Sequence, residues 1–324
     1  MDGSFRRLLL IRPRGFCAGV VRAVDAVWIA LERFGPPIYV RHEIVHNEHV
    51  LRELETAGAV FVDDLDDVPP GARVFFSAHG VSPAVRDEAR RRGLVPIDAT
   101  CPLVSKVHQQ AIRLDRQGFT ILLIGHGGHV EVAGTRGEAP RSTIVISTVE
   151  QAESVEVPDE ERVGYLTQTT LSMADVADIV STLRRRFPAL KEPASQDICY
   201  ATENRQAAVQ AVAGRCDVIL VVGSRSSSNS ASLVETARRA GVRSALVPEP
   251  TAVPWGDLAD ANTVGLTSGA STPETLFESV AERLVSGGFA LTEDVEIVRE
   301  TVTFALPPGL GQQGREAGPD VAST

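Results

Sequence analysis

The sequence predicts an α/β protein made of three related small units with mostly parallel sheets. Three observations carry that reading. The chain has 324 residues, long enough for two or three domains. Cys17, Cys101 and Cys199 each open a helical pattern and stand 84 and 98 residues apart, each close to the length of one small α/β unit. After each cysteine the same order of helix, strand and polar loop returns, and strands that alternate with helices imply parallel sheets.

The helices come first in each repeat. In "CAGVVRAVDAVWIAL" Val20, Val24, Val27 and Leu31 fall at helical spacing, and in "CPLVSKVHQQAIRL" Val104, Val107, Ala111 and Leu114 do the same. Pro102 suits a first helical turn. The third helix is "CYATENRQAAVQAV". Strands "PPIYV", "FTILLIG" and "DVILVVG" follow, and they run into the polar loops "RHEIVHNEH", "HGGHVE" and "SRSSSNS". A second strand comes next in each unit ("AVFVDD", "TIVIST", "SALVPE"), then a third ("RVFFSA", "RVGYLT", "NTVGLT"). The third strands end in "HGVS", "QTTLS" and "SGAST", each leading into a helix.

These boundaries give units over 1–100, 101–196 and 197–290. Residues 291–324 remain as a C-terminal strand and a Gly/Pro-rich tail, expected to be mobile after about residue 305. In parallel sheets ligands bind beyond the carboxyl ends of the strands. The polar loops lie there, and so do the cysteines, at the strand-to-helix junctions "PIDATC" and "SQDIC". Three units are thus expected to aim one thiol each at a common centre.

Composition removes several function classes. A net charge of −10 argues against a nucleic-acid groove, which needs a basic stripe. The N-terminal "LLLI" is too short for a secretory signal, and "TILLIG" and "DVILVVG" are far shorter than the roughly 20 residues a membrane helix requires. The expectation is a cytoplasmic protein with no membrane contact. Four cysteines in that setting read as thiols, metal ligands or catalytic groups rather than disulfides.

A thiolate at a helix N-terminus is stabilised by free N–H groups and the helix dipole, and three together make a trigonal metal face. Zinc would ask for a fourth ligand, as in a Cys₃His site. A four-iron cluster on three cysteines leaves one iron open. The bland alternative is three unrelated buried thiols, and Cys216, which enters a strand in "AGRCDVILVV", is assigned to the core. His46, His79, His129, Thr169, Ser227, Ser228, Asn229 and Ser271 populate the strand ends, where they can satisfy phosphate oxygens with little help from Lys or Arg. Ser and Thr in such loops also routinely cap helices. "HGGHVE" places Glu131 two residues after His129, on the same side if the segment is extended, as a candidate general acid or proton relay. His42, His49 and His108 have no companion loop and are read as structural.

"PRGFCAGV", "YVRHEIVHN", "FSAHGVS", "DATCPLVSKVH", "TQTTLS", "DICYATENRQ", "SSNS" and "SGAS" resemble, in order, the motif series of the hydroxymethylbutenyl diphosphate reductases, the LytB (IspH) family. The resemblance runs from about residue 8 to about residue 306. It implies a pseudo-threefold trefoil around a central metal site, a 4Fe-4S cluster with one open iron, and cluster ligation by Cys17, Cys101 and Cys199. It implies that His46, His79, His129, Ser227, Ser228, Asn229 and Ser271 bind the substrate's diphosphate, and that Glu131 works with Thr169 near the substrate hydroxyl. The implied reaction is reductive dehydroxylation of an allylic diphosphate to isopentenyl and dimethylallyl diphosphate, the last step of the non-mevalonate isoprenoid pathway. Its electrons would come singly from a ferredoxin or flavodoxin. Two departures stand out: Val130 replaces the family's usual proline before the glutamate, and Arg225 and Ser226 stand where lysine and asparagine are common. The rival readings are a zinc-bound or metal-free phosphosugar-binding protein and an inactive paralogue.

Overall fold

The structure, a computed structural model, describes residues 6–310. The chain starts with β1 (Arg6–Arg12). The first repeat follows as α1 (Ala18–Phe34), β2 (Ile38–Arg41), α2 (Glu48–Thr56), β3 (Ala59–Val62), β4 (Arg73–Phe76), α3 (Pro83–Arg91) and β5 (Val95–Asp98). The second comprises α4 (Pro102–Arg116), β6 (Thr120–Ile124), α5 (Val130–Glu138), β7 (Thr143–Ile146), α6 (Val149–Ser154), β8 (Val163–Thr167) and α7 (Met173–Arg186). The third comprises α8 (Tyr200–Ala213), β9 (Val218–Val222), α9 (Ser228–Arg239), β10 (Arg243–Val247), β11 (Thr263–Ser268), α10 (Glu274–Ser286) and β12 (Phe289–Glu296).

Three parallel sheets result, ordered β3-β2-β4-β5, β7-β6-β8 and β10-β9-β11-β1-β12. Each sheet repeats one plan. The strand after the cysteine helix sits inside, the next strand takes its outer edge, and the third strand takes its other side. The central strands read as unbroken apolar runs because helices cover both faces; every residue of β9, "VILVV", is buried.

Two sequence readings change here. The first is β1, which the repeat placed in the unit 1–100; it hydrogen-bonds β11 and β12 of the third sheet instead. The plan explains why. A fourth strand lies beside the third strand and leads into the next cysteine, as β5 beside β4 leads to Cys101. Strand β1 fills that place for Cys17, so the repeat closes on itself across the termini. For Cys199 the fourth strand shrinks to a single bridge between Gly164 and Lys191, so "SQDIC" is not a strand end.

The second change concerns the loops after the first strands. Each contains the start of a helix, α2, α5 or α9, which the strand-to-strand reading omitted. Parallel neighbours cannot be joined by a tight turn, so a crossover helix is required. Polar side chains in those loops open them: Asn47, His129 and Ser227 accept from backbone N–H groups of the first turns.

The C-terminal segment also departs from expectation. Residues 305–310 are held on α1, with Arg22 donating to the Ala305 carbonyl at 2.7 Å, Arg33 donating to the Leu310 carbonyl at 2.7 Å, and Leu310 buried in the core around α1. The remainder of the tail, 311–324, lies outside the described residues. Among the described residues no helix is long and apolar enough to cross a membrane.

Candidate active site

Cys17, Cys101 and Cys199 occupy the N-cap positions of α1, α4 and α8. Their backbone N–H groups are bonded in a ring of equivalent contacts. Cys101 N donates to the Ala78 carbonyl at 2.9 Å, Cys199 N to Thr169 at 3.0 Å and Cys17 N to Ala270 at 3.0 Å. Each acceptor lies in the loop after the third strand of the preceding repeat. One loop per repeat therefore fixes both a cysteine and a set of polar side chains.

A cavity lies at this junction. Its walls include all twelve residues singled out in the sequence: Cys17, His46, His79, Cys101, His129, Glu131, Thr169, Cys199, Ser227, Ser228, Asn229 and Ser271. Tyr200, Thr202 and Phe304 line it too.

Burial pushes the Cys101 thiol up to about 12 and the Cys199 thiol up to about 11, with the nearby Cys17 adding to both. The helix N-termini pull the other way and lose, so without metal these groups are neutral thiols rather than the thiolates their position alone suggests. Binding a metal centre reverses that by displacing the protons. Among the described residues no three His, Cys, Asp or Glu side chains are grouped to hold a single metal ion. Three soft thiol donors on one cavity suit a metal centre.

Gly19 explains one of the glycines beside Cys17. A Cβ at position 19 would lie 2.7 Å from Cys101 Sγ and 3.9 Å from Cys17 Sγ. Gly19→Ala is expected to displace Cys101 and cut iron content per chain at least twofold, while the metal-free protein melts no lower because alanine favours the helix by about 1 kcal/mol. Iron analysis beside a thermal melt of metal-free protein checks both parts. The other glycine, Gly15, has φ +72°, and its carbonyl accepts from the fully buried Arg205 at 2.8 Å. Arg205 also pairs with Glu300 at 3.0 Å, which ties the Cys17 loop, helix α8 and the C-terminal segment together. This brings Phe304 to the cavity wall, a position no sequence pattern marked.

Glu131 sits in the first turn of α5, so "HGGHVE" is a helix start rather than an extended segment. Its neighbour Val130 holds the first helical position, where proline is also accommodated, and the glutamate's aim is fixed elsewhere. Oε1 accepts from Thr169 N at 2.6 Å and Oε2 from Thr169 Oγ1 at 3.0 Å. Glu131 is 3% exposed, and burial raises its carboxyl to about 7 although both Thr169 bonds oppose the shift.

The three histidines form a cluster. His46 stacks on His79 with ring centroids 4.0 Å apart, and His129 meets them edge-on at 5.0 and 5.8 Å. Burial, reinforced by the neighbouring imidazoles, holds His79 well below the ordinary range and His129 down to about 3. Both are neutral. The Nδ1 of His129 accepts from Glu131 N at 3.1 Å, so its proton is on Nε2, a buried atom that has no protein partner.

The serine loops hold themselves as well as the cavity wall. Ser227 Oγ caps Ser230 N at 3.2 Å, and Ser271 Oγ donates to the His46 carbonyl at 2.9 Å. Capping and cavity lining coexist at Ser227. Asn229 takes Ala270 N on Oδ1 at 2.9 Å and donates Nδ2 to Thr202 Oγ1 at 3.1 Å, and Thr202 Oγ1 lies 3.2 Å from Cys199 Sγ. Thr202 was missed, yet its place three residues after an N-cap cysteine was a readable signal.

The family model described as "LytB protein" matches residues 8–285. The chain belongs to the LytB family. Other LytB relatives agree along nearly the whole length. The 4-hydroxy-3-methylbut-2-enyl diphosphate reductase of Acidothermus cellulolyticus is 54% identical over 314 residues, covering 97% of this chain and 92% of that protein. The protein of the same name from Mycolicibacterium paratuberculosis is 54% identical over 308 residues, covering 93% and 91%. Among solved structures, the E-1-hydroxy-2-methyl-but-2-enyl-4-diphosphate reductase of Plasmodium falciparum matches this LytB chain with a TM-score of 0.91 at 41% identity, covering 94% of this chain and 97% of that one.

Proposed function

We infer that this chain reduces (E)-4-hydroxy-3-methylbut-2-enyl diphosphate to isopentenyl diphosphate and dimethylallyl diphosphate, a two-electron reductive dehydroxylation closing the non-mevalonate isoprenoid pathway. One observation carries the reading: a single cavity combines three N-cap cysteines, a buried carboxyl raised to about 7 and an anion-fitted polar wall. The relatives' names supply the substrate.

Cys17, Cys101 and Cys199 would hold a 4Fe-4S cluster. Bound there, it supplies an oxygen-binding Lewis acid and a store of single electrons, refilled by a ferredoxin or flavodoxin of the cytoplasm. The neutral His129 donates Nε2–H to the diphosphate. His46, His79, Ser227, Ser228, Asn229 and Ser271 complete that anion site, so an acidic protein binds an anion without Lys or Arg. Glu131 is the proton source for the substrate oxygen that leaves as water, and Thr169 positions it by donating its N–H and its hydroxyl to the two carboxyl oxygens.

Anaerobically purified protein is expected to be brown, to contain iron and sulfide, and to turn over the substrate with a reduced low-potential donor. Colourless protein, or protein carrying zinc alone, overturns the reading. Iron-loaded protein without turnover identifies an inactive paralogue.

A further inference from the structure

His46 differs from its two partners in the cluster. Its Nδ1 lies 2.6 Å from Glu43 Oε2, so Nδ1 carries a hydrogen and donates to the carboxylate. Its Nε2 is buried and has no protein partner, as in His129. The protonation patterns are opposite. In neutral His129 the Nε2 already bears hydrogen. In neutral His46 it would bear a lone pair, which repels a phosphate oxygen, so His46 serves an anion only with a second proton.

We propose that Glu43 is a positioning residue that makes His46 the charged imidazolium of the triad, so that Nε2–H is presented to the substrate's diphosphate. The proposal rests on the diphosphate reading above and assigns its one cationic donor. Three clustered imidazoles cannot all be charged, and of the three only His46 has a carboxylate as partner. His79 has Ser77 Oγ at 3.3 Å from Nδ1, and His129 has a backbone N–H; neither stabilises a cation. Glu43 also spans two repeats, because Ser226 Oγ of the serine loop lies 3.5 Å from the same Oε2. Ser226 is bonded in turn to Ser224 at 2.9 Å, and the His46 carbonyl takes Ser271 Oγ. The carboxylate thereby locks the first-repeat histidine loop to the third-repeat serine loop in register for one ligand.

A bare carboxylate this near an anion site would weaken binding, so the sign of its effect is diagnostic. The test uses anaerobic holoenzyme, with inorganic pyrophosphate as competitive inhibitor. Glu43→Gln is expected to raise both the pyrophosphate inhibition constant and KM about tenfold, the loss of one charge-assisted bond, with kcat within about twofold and iron content unchanged. In a His46→Gln background the same change is expected to add nothing. Glu43→Asp, which keeps the charge, recovers part of the loss. Equal or tighter pyrophosphate binding by Glu43→Gln, or a fully additive loss in the double variant, overturns the proposal. If pyrophosphate fails to inhibit the wild-type enzyme, the diphosphate reading itself falls.

Discussion

Cys101→Ser protein, purified without oxygen, is expected to hold less than half of the wild-type iron and to turn over on the order of 10³-fold more slowly or not at all, because no side chain replaces the chemistry of the bound cluster. A serine hydroxyl is a harder and far less acidic ligand than a thiol, and in this cavity even the thiol stays protonated at about 12 until metal binds. The effect belongs to the site rather than to the fold. Cys101 contributes no cap hydrogen bond from its side chain to α4, and Pro102 starts that helix whatever precedes it. Metal-free Cys101→Ser should therefore melt within a few degrees of metal-free wild type. Iron and sulfide per chain, read beside turnover, check the claim; a full-iron, fully active variant would remove Cys101 from the ligand set.

Glu131→Gln is expected to keep its iron and lose about 10²–10⁴-fold in turnover, the span of a general acid. The amide keeps the side chain's shape and an oxygen to accept from Thr169 N, but has no proton to give. In the wild type the folded carboxyl titrates at about 7, so turnover is level below that value and falls as pH rises through it. The variant's residual activity lacks this limb. Stability moves with the same proton. Its ordinary value is 4.5 and its folded value about 7, so the contribution to stability is fully present below 4.5 and is lost as pH rises through 7. At pH 8 the loss is roughly 3 kcal/mol, and Glu131→Gln escapes it. A variant that unfolds more readily than wild type at pH 8, or one with normal turnover, contradicts this account.

Much of the site was legible because parallel sheets put their functional residues in loops at one end of each strand. Those loops are contiguous in sequence: the cysteine junctions, "HGGHVE", "SSSNS" and "SGAS". A period search on the cysteines was enough to find them. Positions that act through a partner far along the chain were not legible. Arg205 looks like any helical arginine until Gly15 and Glu300 close on it, 190 and 95 residues away. Glu43 looks like a solvated acid until His46 folds against it and Ser226 arrives from the third repeat.

The sequence alone determined the α/β class, the threefold order of elements, the three thiols and the residues of the polar wall, because each depends on local periodicity and on residue types within one loop. Only the tertiary structure decided that β1 completes the third sheet, that residues 305–310 lie on α1, and that the Glu131 carboxyl is raised to about 7 while Cys101 and Cys199 are thiols. Strand partners, docking and proton affinity are set by what surrounds a group in space. Groups brought together from distant parts of a chain leave no pattern in the order of its residues.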